Sequence, residues 1–391
     1  MKTGVACLIL AYMLSQFYRV FLAVLSPVLQ ADLGATAQDL SLASGLWFLA
    51  FAAMQFPVGA ALDRLGPRRT CGILLGLGAG SGAALFAVAT GPAMILAAMV
   101  LIGIGCSPVL MAAYVIIAKA WPPAAFASLA GLVLGLGSLG NVLGSVPLAS
   151  AVAAWGWRGT MAGMAGLTVV AALVVILVVR DPPPPEAPAP KGSVLDVLKI
   201  RALWPIFVVM AVSYSPAASL RGLWLGPYGA QVQGLDLAGI GWLSLAMGVA
   251  MICGTLAYGP LDRWLGRRKA LILGGNLVAA AALAGLALAP GQGLGQAVAL
   301  LVMVGLFGAA FPVVVAHARS FVPAHLTGRG VAMVNLFSIA GTGGLQVLTG
   351  RIHAAASGGD PAWPFTLVFG SIALLITAGC AVYLFAQDRS D

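Results

Sequence analysis

Gly59-Ala60-Ala61-Leu62-Asp63-Arg64-Leu65-Gly66-Pro67-Arg68-Arg69 returns, roughly 200 residues later, as Gly259-Pro260-Leu261-Asp262-Arg263-Trp264-Leu265-Gly266-Arg267-Arg268-Lys269. Each copy closes an apolar run with an Asp-Arg pair, meets a glycine, and opens the next apolar run with basic residues. The same offset relates Lys119-Ala120-Trp121-Pro122-Pro123 to Arg319-Ser320-Phe321-Val322-Pro323, and Ser138-Leu139-Gly140 to Ser338-Ile339-Ala340. Chance similarity among Gly- and Ala-rich runs is a poor explanation for matches that carry charge or proline at one shared offset. The chain is therefore read as two related halves, 1–180 and 203–391, joined by a linker over 181–202.

Outward from these loops the sequence is apolar. Of 391 residues, 61% are hydrophobic and only 8% charged, where soluble domains carry roughly a quarter. Such a chain cannot cover a core with polar surface and needs a bilayer as its solvent. A spanning helix takes about 20 apolar residues. Runs between turn signals predict twelve, at 5–31, 40–62, 71–90, 93–119, 124–153, 159–179, 203–229, 238–258, 270–290, 295–318, 326–352 and 363–386. The expected fold is all-α: twelve transmembrane helices in two pseudo-symmetric six-helix bundles. An even number per half gives both halves the same topology, which implies a pseudo-twofold along the membrane normal and a substrate site near the midplane.

The linker carries Asp181-Pro182-Pro183-Pro184-Pro185-Glu186-Ala187-Pro188, whose prolines favour extended polyproline over helix. With the N-terminus inside, the inner segments hold sixteen of the 20 Lys and Arg residues, and the outer segments only Arg158 and Arg351. That asymmetry places both termini and the linker in the cytoplasm, and the expected location is the inner (cytoplasmic) membrane of the cell. A net charge of +9 does not mark a nucleic-acid binder here, because the basic residues lie in short loops between apolar runs.

The duplicated loop resembles the signature of the major facilitator superfamily, which stands between that family's second and third helices and again between its eighth and ninth. The resemblance covers the whole chain through helix count, central linker and both loop copies. It implies a secondary transporter working by alternating access, symporter or antiporter, with Asp63, Arg64, Arg68, Asp262, Arg263 and Arg267 in gating. Without the family, the logic is still readable. An Asp at a helix end can pair with basic side chains and with the N-terminal end of a neighbouring helix. Such a latch holds one conformation and must break in the other. Topology accounts for the arginines but not for two repeat-matched aspartates. There are departures: Pro67 stands where the family usually has a basic residue, and Met99 takes the place of a fourth-helix Arg ahead of Gly103-Ile104-Gly105. Gly135, Gly137, Gly140 and Gly144 resemble the fifth-helix stretch of drug/proton antiporters, but Gly140-Asn141 replaces its Gly-Pro. The last two departures weigh against a proton-driven drug exporter.

Two arginines lie inside apolar runs. Arg19 is about 14 residues into the first helix, roughly 21 Å at the usual rise, which is too deep for easy snorkelling. A buried Arg costs at least a few kcal/mol and is a functional candidate by default. Tyr12, Ser15, Gln16, Arg19 and Ser26 share one face of that helix; Tyr214, Arg221, Trp224 and Tyr228 share one of the seventh. Helices one and seven are repeat partners, so the two arginines are expected to approach one cavity. All eleven acids fall in loops, helix ends or tails. Guanidiniums without a buried acid call for an anion, and their planar fork matches carboxylate or phosphate. Arg19 with Pro27 eight residues on is similar to the first helix of organophosphate/phosphate antiporters and anion:cation symporters, where such an Arg contacts substrate; the antiporters also use an Arg in helix seven. Tyr18 stands where the symporters place an acid. Asn141 on helix five, Asn335 on helix eleven and Gln55 on helix two are further expected lining residues, although polar side chains also serve as interhelical glue.

The leading expectation is transport of a small organic anion, a carboxylate or phosphate ester, by a functional monomer that needs no cofactor. The alternatives are export of amphipathic or cationic compounds, copper transport through Met247 and Met251, and a sensor on a transporter-like body. No Walker motif, Ser-His-Asp set, HExxH or Cys/His cluster is present, so neither an enzyme nor a zinc site is expected. His317 near the end of helix ten reads as a packing histidine more readily than a titrating one.

Overall fold

The computed structural model describes residues 2–181, 194–323 and 326–388, with no strand among them. Nine of its helices are singly long and apolar enough to cross a membrane, and a pair bent by 44°, Thr3–Phe17 with Phe21–Leu33, makes a tenth. Two of the nine are interrupted. Gly66 (φ 83, ψ 160) breaks Gln55–Ala87, and Gly156 (φ 69, ψ 164) breaks Val146–Val178. Only glycine visits such angles without strain, so each marks the end of one span and the start of the next. The twelve spans are α1 (2–33), α2 (37–65), α3 (67–87), α4 (92–120), α5 (123–155), α6 (157–178), α7 (201–231), α8 (Leu237–Leu265), α9 (Arg268–Leu288), α10 (294–319), α11 (Thr327–Ala356) and α12 (Trp363–Tyr383).

Many spans bend near their middles. α1 breaks at 18–20, α2 at Met54, and α5 at Ser138 and again at 144–145. α7 widens into a π-helical turn over Leu220–Trp224. Such interruptions frequently sit at functional positions.

The chain forms two compact units, one of residues 1–186 with 237–242, the other of 187–236 with 243–391. The polyproline stretch of the expected linker, at 182–193, lies outside the described residues. Beyond it, Val194–Leu198 forms a short helix, and Val197 packs into the core of the second unit with Leu203, Phe207 and Val334.

Within each unit the helices cross where glycine lets one backbone reach another. In the first, a Cβ at Gly140 of α5 would stand 1.9 Å from the Met13 carbonyl oxygen of α1. In the second, a Cβ at Gly341 of α11 would stand 2.3 Å from the Ala211 carbonyl oxygen of α7. The α2–α4 and α8–α10 pairs repeat the pattern: Gly103 meets the Trp47 carbonyl and Gly305 the Met247 carbonyl. The tandem repeat read from loop charges is thus also a repeat of helix-crossing points inside the two units. The Gly137, Gly140 and Gly144 stripe is the seat on which α1 lies, touching Tyr12, Met13 and Val20 in turn.

Candidate functional site

The two copies of the Asp-Arg loop are built differently. In the first, Pro67 occupies the opening turn of α3, where its fixed φ suits the helix and its missing N–H costs nothing. The next donor, the Arg68 N–H, is one of the orphans of a helix start. It is capped by the Asp181 carboxylate at 2.7 Å, which lies so close over Gly66 that a Cβ there would fall 2.6 Å from its Cγ. Asp63 and Arg64 are exposed, and Asp63 forms no ion pair among the described residues. In the second copy Asp262 accepts from Arg268 Nε at 3.0 Å, with both side chains largely enclosed at 14% and 20% exposure. Lys269 donates to the carbonyls of Leu384 and Ala386, both at 2.7 Å, tying the start of α9 to the end of α12. Arg263 and Arg267 are exposed.

Asp181, Arg268 and Lys269 therefore carry contacts that motif reasoning assigned to neighbours. One signal was present: Arg180-Asp181 directly follows α6, as Gln387-Asp388 follows α12. His317 also belongs to this end of the second unit. Its Nδ1 receives the Tyr383 hydroxyl at 2.6 Å, and its Nε2 meets the Gln387 carbonyl at 3.0 Å. A neutral imidazole is fully satisfied by that pair.

In the first unit Arg19 stands in the break of α1. Its guanidinium lies over the rings of Trp47 and Phe51 of α2, 5.5 and 5.1 Å from their centroids, at cation–π range. No ion pair joins Arg19 to a carboxylate among the described residues, and its Nε is enclosed without a hydrogen-bond partner. Gln16 Oε1 and Trp47 Nε1 are likewise enclosed and without a hydrogen-bond partner among the described residues. Buried polar groups are nearly always paired, so the three open atoms on α1 and α2 mark these helices for a polar partner. Tyr12 is buried with its ring against Gly137. Asn141 is half-buried on α5, and Gln55, at the break in α2, donates to the Phe51 carbonyl at 3.3 Å.

In the second unit Arg221 is 3% exposed and sits in the π-turn of α7. Its Nε donates to the Ser244 carbonyl of α8 at 3.2 Å. The guanidinium lies against Gly248, where a Cβ would come within 2.7 Å of Nη2. Tyr214 is half-buried, with its ring edge-on to Phe311. Asn335 is half-buried on α11. Trp224 and Tyr228 are fully buried in an aromatic cluster with Phe365; Trp224 Nε1 donates to Thr349 Oγ1 at 3.0 Å, and Tyr228 donates to the Pro290 carbonyl at 2.8 Å. Sequence reasoning passed over Ser244, Gly248 and Thr349, because a small or singly polar residue gives no sign of its partner across a helix interface.

A family model described as the Major Facilitator Superfamily matches residues 8–240 and 225–391. The chain belongs to the Major Facilitator Superfamily. Solved structures agree on the fold. A bacterial homologue of the human lysosomal transporter Spinster, in an inward-facing and occupied conformation, superposes with a TM-score of 0.80 at 16% identity over 98% of this chain and 96% of that one. The nucleoside transporter NupG gives 0.75 at 13% identity over 96% and 99%, and a D-xylose–proton symporter 0.74 at 16% over 95% and 96%. No curated protein sequence matches the chain. Membership in the superfamily makes this protein a multi-pass membrane transporter rather than an enzyme.

Proposed function

We propose that this transporter moves a small organic anion, a carboxylate or phosphate ester, by alternating access across the inner (cytoplasmic) membrane, with both termini in the cytoplasm. The observation that carries the reading is Arg19: a guanidinium deep in a spanning helix, facing two aromatic rings, with no acid paired to it and no partner for its enclosed Nε among the described residues. Desolvated charge in a span is expensive unless it meets an opposite charge, and a substrate oxyanion supplies one. Trp47, whose ring lies beside Arg19, adds an open indole N–H. Arg221 is the second candidate. It is held by Ser244 and Gly248, which fix its position.

A thermal-shift screen of the purified protein against carboxylates and phosphate esters, followed by flux into proteoliposomes, tests the reading. Stabilisation and uptake of an anion support it. A response confined to cationic amphiphiles or copper overturns it in favour of the corresponding alternative, and binding without flux would indicate a sensor.

The duplicated loops are proposed as the gates. Asp262→Asn is expected to impair transport severely while leaving the amount of protein in the membrane near wild type, because it unmakes the enclosed Asp262–Arg268 pair. Asp63→Asn should also slow transport, but less, since Asp181 supplies the cap at the start of α3. Wild-type flux in both variants at matched protein level would rule out the gating role.

A further inference from the structure

Trp224 and Thr349 lead to a residue that neither the motifs nor the anion site uses. His353, in the last turn of α11, is 6% exposed. Its ring lies 5.1 Å from the Trp224 ring at an interplanar angle of 31°, and 5.1 Å from Phe365 at 75°. α7, α11 and α12 thus build an aromatic cage around one imidazole. Inside it, His353 Nε2 is enclosed and has no hydrogen-bond partner among the described residues. Thr349, one turn earlier, is already occupied: it accepts from Trp224 Nε1 and donates to the Leu345 carbonyl. The contrast with His317, whose two ring nitrogens are both engaged, is direct.

The remaining ionisable groups on the packed elements are accounted for. α7 contributes Arg201 at its start, then Tyr214, Arg221 and Tyr228, with Tyr228 bonded to Pro290. α12 has only Cys380 and Tyr383, at its far end, and α10 has His317 and Arg319, also at its far end. Asp196 and Lys199, by the short helix, pair with each other. On its own element His353 has Arg329 and an exposed Arg351. Asp360, in the connection to α12, is exposed and caps the Ala362 N–H. No ion pair joins any of these carboxylates to His353 among the described residues.

We propose that His353 is a proton-binding site of this transporter, and that taking up a proton opens the Trp224–His353 stack. Imidazole is the side chain whose charge ordinarily changes between about pH 5 and 8. A proton drawn from water onto the ring leaves N–H groups on both nitrogens. Nε2 is then a charged donor with no hydrogen-bond partner among the described residues, an arrangement costly enough to demand movement. The two rings stabilise the cation part-way, but they cannot accept its hydrogen bond. The ring must turn outward, or α11 must shift on α7 and α12 until an acceptor is reached. Trp224 and Arg221 share the π-helical turn, so that shift acts on the helix segment that positions Arg221. The proposal needs only that the protein is a transporter and does not depend on the substrate being an anion.

The test is intrinsic tryptophan fluorescence of the purified full-length protein in lipid nanodiscs, titrated from about pH 8 to 5. An imidazolium against an indole quenches it, and opening of the stack changes its emission. The wild type should show a titrating change. His353→Gln and Trp224→Phe should each lose that component while melting near the wild-type temperature. Should His353→Gln fail to fold, His353→Phe keeps the ring volume and takes its place. A wild type without a titrating change, or an undiminished change in either variant, would overturn the proposal.

Discussion

Purified Arg19→Lys protein is expected to lose about tenfold or more of its affinity for the transported anion, and Arg19→Ala more still, with both variants melting near wild type. The basis is geometry rather than charge. Lysine keeps the charge but offers one ammonium where arginine offers a planar fork, and it loses the delocalised guanidinium that faces the Trp47 and Phe51 rings. A hydrogen bond to a charged group contributes about 1.5–3 kcal/mol, and about 1.4 kcal/mol is a factor of ten. The measurement is ligand affinity of each variant, with its melting temperature alongside. If Arg19 only braces the break in α1, Arg19→Ala will lower melting temperature and yield, and the surviving protein will bind as before. That result would remove the anion site from the first unit.

Gly105→Ala should be among the most damaging single methyl additions in the protein. A Cβ there would stand 2.0 Å from the backbone nitrogen of Ala79 and 2.7 Å from its Cα; across the same crossing, a Cβ at Gly78 would stand 2.7 Å from the Gly105 Cα. Backbone meets backbone on both sides, so no side chain can rotate away and α3 must move off α4. Overpacking of this kind costs about 1–3 kcal/mol, occasionally more. Gly163→Ala, on α6, is the control: nothing lies within 4 Å of its Cβ position, so it should melt at or above the wild-type temperature. Equal melting of the two variants would mean that the α3–α4 crossing is not tight.

How much of the site could be read beforehand follows from what kind of fact each part is. Arg19 and Arg221 announced themselves, because a charge within an apolar run is conspicuous at any rotation of the helix. Asp262 announced itself through the repeat. Its partner did not: the basic cluster offers Arg267, Arg268 and Lys269 in succession, and only the turn at Gly266 decides that Arg268 takes the carboxylate while Lys269 reaches α12. Trp224 and Tyr228 were legible as aromatic neighbours of Arg221. That their polar atoms are taken up by Thr349 and Pro290 depends on a helix and a connection 125 and 62 residues away in the chain.

By itself, the sequence determined that this is a membrane protein of two repeated six-helix halves with charged loops at matched positions. Hydrophobicity and the placement of charge act residue by residue, and each span must satisfy its own backbone in lipid whatever its neighbours do. The tertiary structure alone decided which polar atoms meet and which stay open. Trp47 and Phe51 under Arg19, Asp181 over Gly66, and the ring cage of His353 all depend on how far each helix is rotated and where it bends. Those rotations are set by glycine crossings such as Gly140 on Met13 and Gly103 on Trp47. One glycine among 51 gives no sign of which backbone it will touch, because that contact exists only once two helices have docked.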